Sequence, residues 1–124
     1  MELEVTGIDH LFLTVADFTR SEAFYDRVMA VLGYRKGTFP IGGEPHAHYF
    51  NRVMQLSIRP ARTKDRPHDA YSPGFHHLCL QLPDRRSVDA AARALGALGA
   101  GVFTVRLEIL EDAAAEPPSS PASR

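Results

Sequence analysis

The chain has 124 residues, a length that suits one compact domain, and 44% of them are hydrophobic, enough to fill a core. A net charge of −1 carries no electrostatic footprint for nucleic acid, and no apolar run approaches the ~20 residues of a membrane span. The single cysteine, Cys79, excludes an internal disulfide, and Glu2 and Glu4 stand where a leader would be basic, so a reducing cytoplasm is the expected compartment.

Residues 8–15 alternate with period two. Ile8, His10, Phe12 and Thr14 point one way, and Leu11, Leu13 and Val15 the other. This pattern predicts a strand with two different faces. A helix should follow, with Thr19 and Glu22 as a capping box. Phe24, Val28, Val31 and Leu32 recur at helical spacing, and Gly33 suits the C′ position. Three more strands are expected over 34–39, about 47–51 and 53–59. The segment from Pro40 to Pro45 reads as a turn-rich loop between the first two, and Asn51-Arg52 as a tight turn between the last two. In the last strand Met54, Leu56 and Ile58 share one face, and Val53, Gln55, Ser57 and Arg59 the other.

Residues 60–74 carry Pro60, Pro67, Pro73 and Gly74 among charges and read as a connector. The cations Arg59, Arg62, Lys64 and Arg66 there suit a solvated loop, with a grip on an anionic substrate as the alternative. A second unit then opens with a strand over 75–82. Phe75, His77, Cys79 and Gln81 lie on one face and Leu78, Leu80 and Leu82 on the other. The helix after it puts Val88, Ala91, Ala92, Leu95 and Leu98 on its inner side and stops at Gly99. Residues 102–111 form a further strand candidate with Thr104, Arg106 and Glu108 opposite its apolar face. Residues 112–124 are Ala, Pro, Ser and charge, and predict a disordered tail.

The two units repeat. Aligned on His10 and His77, which are 67 residues apart, both read His-Leu-x-Leu-x-[Val/Leu]-x-Asp, and both helical runs end in Leu-Gly. This argues an internal duplication. If every aliphatic face lies under a helix, the polar faces meet in one concavity: His10 and Thr14, Gln55 and Ser57, His77 and Gln81, Arg106 and Glu108. Two imidazoles and a carboxylate there have the composition of a divalent-metal site with open positions. Gln55 is the weaker ligand, because a neutral amide binds metal less well than a carboxylate. His46, His48 and His68 sit in or beside loops without a repeat partner and read as surface histidines. His76 reads as structural, and Cys79 as a small lining residue.

These residues resemble the vicinal oxygen chelate superfamily, which includes glyoxalase I, bleomycin-resistance proteins, fosfomycin-resistance enzymes and extradiol dioxygenases. The likeness lies in Ile8-Asp9-His10-Leu11-Phe12-Leu13-Thr14-Val15 with Asp17, then Ser21, Phe24-Tyr25 and Leu32-Gly33-Tyr34, and in Tyr71-Ser72-Pro73-Gly74-Phe75-His76-His77-Leu78. It spans residues 7–101. It implies an α+β fold of paired βαβββ modules curled around a metal, the glyoxalase/bleomycin-resistance/dioxygenase fold. The expected organisation is a single domain over 1–111, with module one at 7–60, a connector at 61–74 and module two at 75–111, then the tail at 112–124.

The resemblance also implies a site. His10 and His77 fall on first-strand ligand positions, Gln55 near the last-strand position of module one, and Glu108 resembles the last-strand glutamate of module two. A divalent ion (Zn, Mn, Ni or Fe) on His10, His77 and Glu108 would take two neighbouring oxygens of a small-molecule substrate. Glu108 is the expected catalytic group, and Phe12, Thr14, Ser57, Phe75 and Cys79 line the substrate. Glyoxalase-type and dioxygenase-type chemistry both stay open.

One departure matters. Gly33 to Gln55 is 22 residues, but Gly99 to Glu108 is 9, so module two is 13 residues short and truncated by about one hairpin. Either Glu108 is still on the last strand, or 102–110 is the second strand and Glu108 is no ligand. An open sheet edge invites a partner, and a homodimer is expected. The rival reading is a metal-free module that sequesters an aromatic or cationic ligand among Phe12, Phe39, Tyr49, Phe50 and Phe75. A paralogue that folds and does neither is a third.

Overall fold

The computed structural model describes residues 1–98. It divides the chain into two compact units, the first ending at Leu78 and the second beginning at Cys79.

The first unit is a βαβββ module: β1 (His10–Val15), α1 (Phe18–Val31), β2 (Arg35–Gly37), β3 (Ala47–Phe50) and β4 (Gln55–Pro60). Its sheet has the order β1-β4-β3-β2. The β1–β4 pair is parallel, with His10 opposite Gln55 and Phe12 opposite Ser57. β3 runs antiparallel to both β4 and β2, setting His48 opposite Ser57 on one side and Gly37 on the other. All the strands of module one lie within a residue or two of where alternation puts them.

The start of α1 differs from expectation. The N-cap is Asp17, whose carboxylate accepts from the Arg20 amide at 3.1 Å. Thr19 therefore lies inside the first turn and cannot be the cap. A carboxylate at the N-cap satisfies a free amide and favours the positive end of the helix dipole. The far end closes as a Schellman motif. The Tyr34 amide bonds the Met29 carbonyl at 2.9 Å and the Gly33 amide the Ala30 carbonyl at 3.1 Å, with Gly33 at φ +84°.

One face of the sheet packs on α1. Val28 and Met29 of the helix are buried, as are Ala47, Tyr49, Leu56 and Ile58 of the strands. Burying a side chain such as Ile58, which is 0% exposed, stabilises the fold by roughly 1.5–3 kcal/mol. Tyr49 belongs to this face. Its hydroxyl donates to Asp26 Oδ1 at 2.8 Å, and Lys36 Nζ reaches both Glu22 and Asp26. That removes Tyr49 from the set of rings expected to line a ligand cup.

Between β2 and β3 the turn-rich segment forms a two-residue hairpin. Ile41 and Glu44 exchange both backbone hydrogen bonds at 3.1 Å, and Gly42 (φ +60°) and Gly43 (φ +78°) occupy the two left-handed positions of a type I′ turn. Between β3 and β4 the side chain of Asn51 accepts from the amides of Val53 and Met54 and shapes that turn.

In the second unit, α2 (Arg85–Ala97) starts at Asp84, which accepts from the Ser87 amide at 2.8 Å. Leu95 is its buried residue, with Val88, Ala91, Ala92 and Leu98 half-buried. The strand expected at 75–82 does not form among the described residues. A strand needs a ladder. β1 takes its ladder from β4, whereas no strand among the described residues pairs with 75–82. Gly99, the strand candidate at 102–111 and the tail at 112–124 lie outside the described residues. No helix among the described residues is long and apolar enough to cross a membrane.

Candidate functional site

The sheet face away from α1 carries the chemistry. Strand register places His10, Phe12 and Thr14 of β1 beside Gln55, Ser57 and Arg59 of β4, with His48 and Phe50 of β3 next to them. His10 is exposed, and its Nδ1 lies 2.8 Å from the Asp9 carboxylate. A carboxylate accepts only, so Nδ1 carries a proton, and in the neutral ring Nε2 keeps a lone pair that no described residue engages. Histidines that bind metal are commonly held in this way.

Beside it lies a buried polar group. His48 and Ser57 are 1% and 0% exposed, and His46 is 4% exposed. His48 Nε2 is 3.1 Å from the Phe39 carbonyl oxygen, which fixes Nε2 as the donor. Its Nδ1 lies 2.7 Å from Ser57 Oγ and 3.2 Å from Gln55 Nε2. Gln55 Nε2 also donates to Ser57 Oγ at 2.9 Å. The Phe39 ring stacks on His48 with centroids 3.8 Å apart, and the His46 ring lies parallel to His48 on centroids 5.7 Å apart. Phe12 meets His10, His46 and His48 edge-on at 5.5–6.0 Å.

The 41–44 hairpin is tied down over this edge. The Glu44 carbonyl accepts from His46 Nδ1 at 2.9 Å. Its carboxylate takes Arg59 and Arg62, each at 2.7 Å. The Arg62 hydrogen bond, followed by that from Arg59, holds the Glu44 carboxyl down at about 2. Two of the four cations named as an anion grip are thus already paired with Glu44.

The sequence-predicted residues fare unevenly. His10, Gln55, Ser57, Phe12 and Thr14 share one sheet face, as expected. Ser57 is sealed beneath it rather than lining it. His77 is exposed and its Nδ1 lies 2.6 Å from His76 Nδ1. Among the described residues, no hydrogen bond or ring contact joins His77 to His10. Phe75 and Cys79 are exposed, and Glu108 lies outside the described residues. Among the described residues, no group of three His, Cys, Asp or Glu side chains comes together for a metal.

Sequence reasoning missed His46 and His48, taken as surface histidines. The signal was present: in His46-Ala47-His48-Tyr49 a period of two puts both imidazoles on the face opposite Ala47 and Tyr49. Loop proximity suggests a surface position, whereas β3 is an inner strand flanked on both sides.

No family model matches the sequence, and no curated protein matches it. Solved structures do. A glyoxylase/bleomycin resistance protein/dioxygenase domain from Frankia sp. EAN1pec superposes with a TM-score of 0.62 at 19% identity, covering 77% of this chain and 76% of that one. The fosfomycin resistance protein FosX from Listeria monocytogenes gives 0.50 at 16% identity, covering 80% and 68%. A FosX mutant complexed with Mn(II) and 1S,2S-dihydroxypropylphosphonic acid gives 0.50 at 16%, covering 77% and 71%. At these identities the likeness is one of fold. The chain has the α+β glyoxalase/bleomycin-resistance/dioxygenase fold, and its structural neighbours belong to the vicinal oxygen chelate superfamily.

Proposed function

We propose that this protein binds a small oxygen-bearing molecule at a divalent cation on the open face of the module-one sheet. The observation that carries the reading is the parallel register of His10 with Gln55, together with the Asp9 contact that leaves His10 Nε2 free. The described residues offer a first-row divalent metal two neutral donors, one imidazole and the side-chain amide of the register partner beside it. His77 and Glu108 complete the proposed set of ligands, and Glu108 is the proposed acid–base group. A bound ion would act as a Lewis acid toward two neighbouring substrate oxygens. Phe12 and Thr14 supply the near wall on β1, and the half-buried Arg59 and the Glu44 hairpin bound it on the far side. The FosX neighbour complexed with Mn(II) and a dihydroxypropyl phosphonate supports this choice of chemistry. A cytoplasmic homodimer with no nucleic-acid or membrane partner is part of the same proposal.

The test is metal analysis and calorimetric titration of tag-free protein, with His10→Ala as the control. Stoichiometric uptake that His10→Ala abolishes supports the reading; no uptake removes it. A second reading has its own support. Phe12 and Phe39 are 38% and 53% exposed and join His46 and His48 in one ring cluster. That surface suits metal-free capture of a planar ligand. Ligand binding that survives chelation would favour it.

A further inference from the structure

His48 and Ser57 are buried, fully hydrogen-bonded and have no part in the ligand set proposed above, yet both contact Gln55. We infer that Phe39, His48 and Ser57 form a positioning relay that fixes the amide of Gln55 with its carbonyl oxygen outward beside His10, as a neutral oxygen donor to a bound cation. The inference rests on the metal-site reading.

The relay follows from donor and acceptor chemistry alone. A backbone carbonyl cannot donate, so the 3.1 Å contact of His48 Nε2 with the Phe39 oxygen puts the proton on Nε2. In the neutral ring Nδ1 is then an acceptor. Ser57 must donate to it across 2.7 Å. The Ser57 oxygen, having given its only proton, accepts, and the donor at 2.9 Å is the Gln55 amide nitrogen. That nitrogen also points its second contact at Nδ1, which again requires an N–H. With the ring neutral, both contacts exclude the flipped amide. The Gln55 oxygen is the group left over. Among the described residues nothing donates to it, and none of their buried polar side-chain atoms lacks a partner. Register sets it on the strand position next to His10.

The physical reason for such a relay is polarity. An unrestrained amide beside a cation site offers either an oxygen or an N–H group, and the N–H face repels a cation. The stacking of Phe39 on His48 and the burial of His48 and Ser57 leave one orientation.

The experiment uses the full tag-free chain. Without metal, the Gln55 side-chain NH2 protons should exchange slowly with solvent by NMR. Mn(II) alone is then titrated by calorimetry. His48→Phe keeps a ring against Phe39 but frees the Ser57 hydroxyl either to accept from the amide nitrogen or to donate to the amide oxygen, so both amide orientations are satisfied. It should weaken Mn(II) binding by about 10–100-fold, the range of lost second-shell partners. Adding Gln55→Glu to His48→Phe should restore affinity, because a carboxylate presents acceptors on both sides and needs no orientation. A structural role for His48 alone would not give that rescue. Ser57→Ala is the milder second variant should His48→Phe fail to fold by circular dichroism; it leaves Gln55 only its longer 3.2 Å contact with His48 Nδ1 and should weaken binding in the same direction by less. Fast exchange of the Gln55 amide overturns the orientation. Unchanged Mn(II) affinity in the relay variants, while His10→Ala abolishes it, overturns the relay and leaves the metal site. No Mn(II) binding by the unaltered protein, with the amide protected, removes the metal reading itself and the relay's purpose with it.

Discussion

His48 and Ser57 face each other across β3 and β4, with Nδ1 and Oγ 2.7 Å apart and neither side chain reached by solvent. A buried pair of this kind weighs on stability in a way that exposed pairs do not. Removing the imidazole in His48→Phe leaves the Phe39 carbonyl without its donor and leaves Gln55 as the remaining partner of the Ser57 hydroxyl. Each buried group left unpaired costs about 1–3 kcal/mol. Ser57→Ala should cost less, since Gln55 still donates to Nδ1. Urea unfolding should place His48→Phe below Ser57→Ala, and Ser57→Ala below the unaltered protein, at similar m-values.

Tyr49 poses the same question on the helix side of the sheet. Burial, followed by its hydrogen bond to Asp26, pushes its phenol far above the ordinary value of 10.0. An acid whose folded pKa is raised contributes stability at pH below 10.0 and loses it as pH rises beyond that. Absorbance titration should therefore show one tyrosine that ionises only as the chain unfolds. Tyr49→Phe should remove that late phase and cost about 1 kcal/mol, a typical hydrogen bond.

Glu44 supplies an acid-side signature. Its carboxyl is held at about 2 against an ordinary 4.5, first by Arg62 and then by Arg59. A depressed folded pKa means stability that is complete above 4.5 and lost as pH falls from there toward about 2. Denaturation midpoints measured from pH 5 down to 2 should fall, and the fall should be shallower in Glu44→Gln. The pair is at the surface, so added salt should also flatten it.

Module one was legible because its strands alternate and its helix repeats at 3.6 residues. Leu11, Leu13, Leu56 and Ile58 had only one side to go to, and Gly33 announced the end of α1. The N-cap was misread because Asp17 and Thr19 are both good caps, and only tertiary placement chooses between them. His46 and His48 were misjudged because burial of a strand depends on what flanks it, and the inner position of β3 is not written locally. The 75–82 segment carries the β1 pattern almost residue for residue. A strand, however, is a property of two chains of atoms, and pattern alone does not supply the second.

The two left-handed glycines of the Glu44 hairpin invite a direct test. Among the described residues, chain neighbours apart, no atom lies within 4 Å of a Cβ at Gly42 or Gly43, so substitution meets no crowding there and its cost is that of the backbone. A left-handed L-residue costs roughly 1–2 kcal/mol. Gly43→Ala should lower stability by that amount. It should also loosen Glu44 from Arg59 and Arg62, raising the Glu44 carboxyl toward 4.5 in a pH titration followed by NMR.

The proposed ligand set makes the sharpest separation. His10 presents its Nε2 from a paired strand, whereas His77 lies in a segment that pairs with no strand among the described residues, with its Nδ1 against His76. A ligand already held in place binds with less ordering cost than one that must be fixed on binding. His10→Ala should therefore abolish divalent-metal uptake outright. His77→Ala should weaken it, and His76→Ala, which frees the His77 ring, should leave uptake intact. Glu108→Gln replaces the one anionic ligand proposed and should weaken uptake sharply, because a neutral amide does not offset the ion's charge. Calorimetry on the four variants separates the cases. Uptake lost in His10→Ala but unchanged in both His77→Ala and Glu108→Gln would reduce the site to the β1–β4 pair of His10 and Gln55. Uptake unchanged in all four would leave the ring cluster of Phe12, Phe39, His46 and His48 as the functional surface.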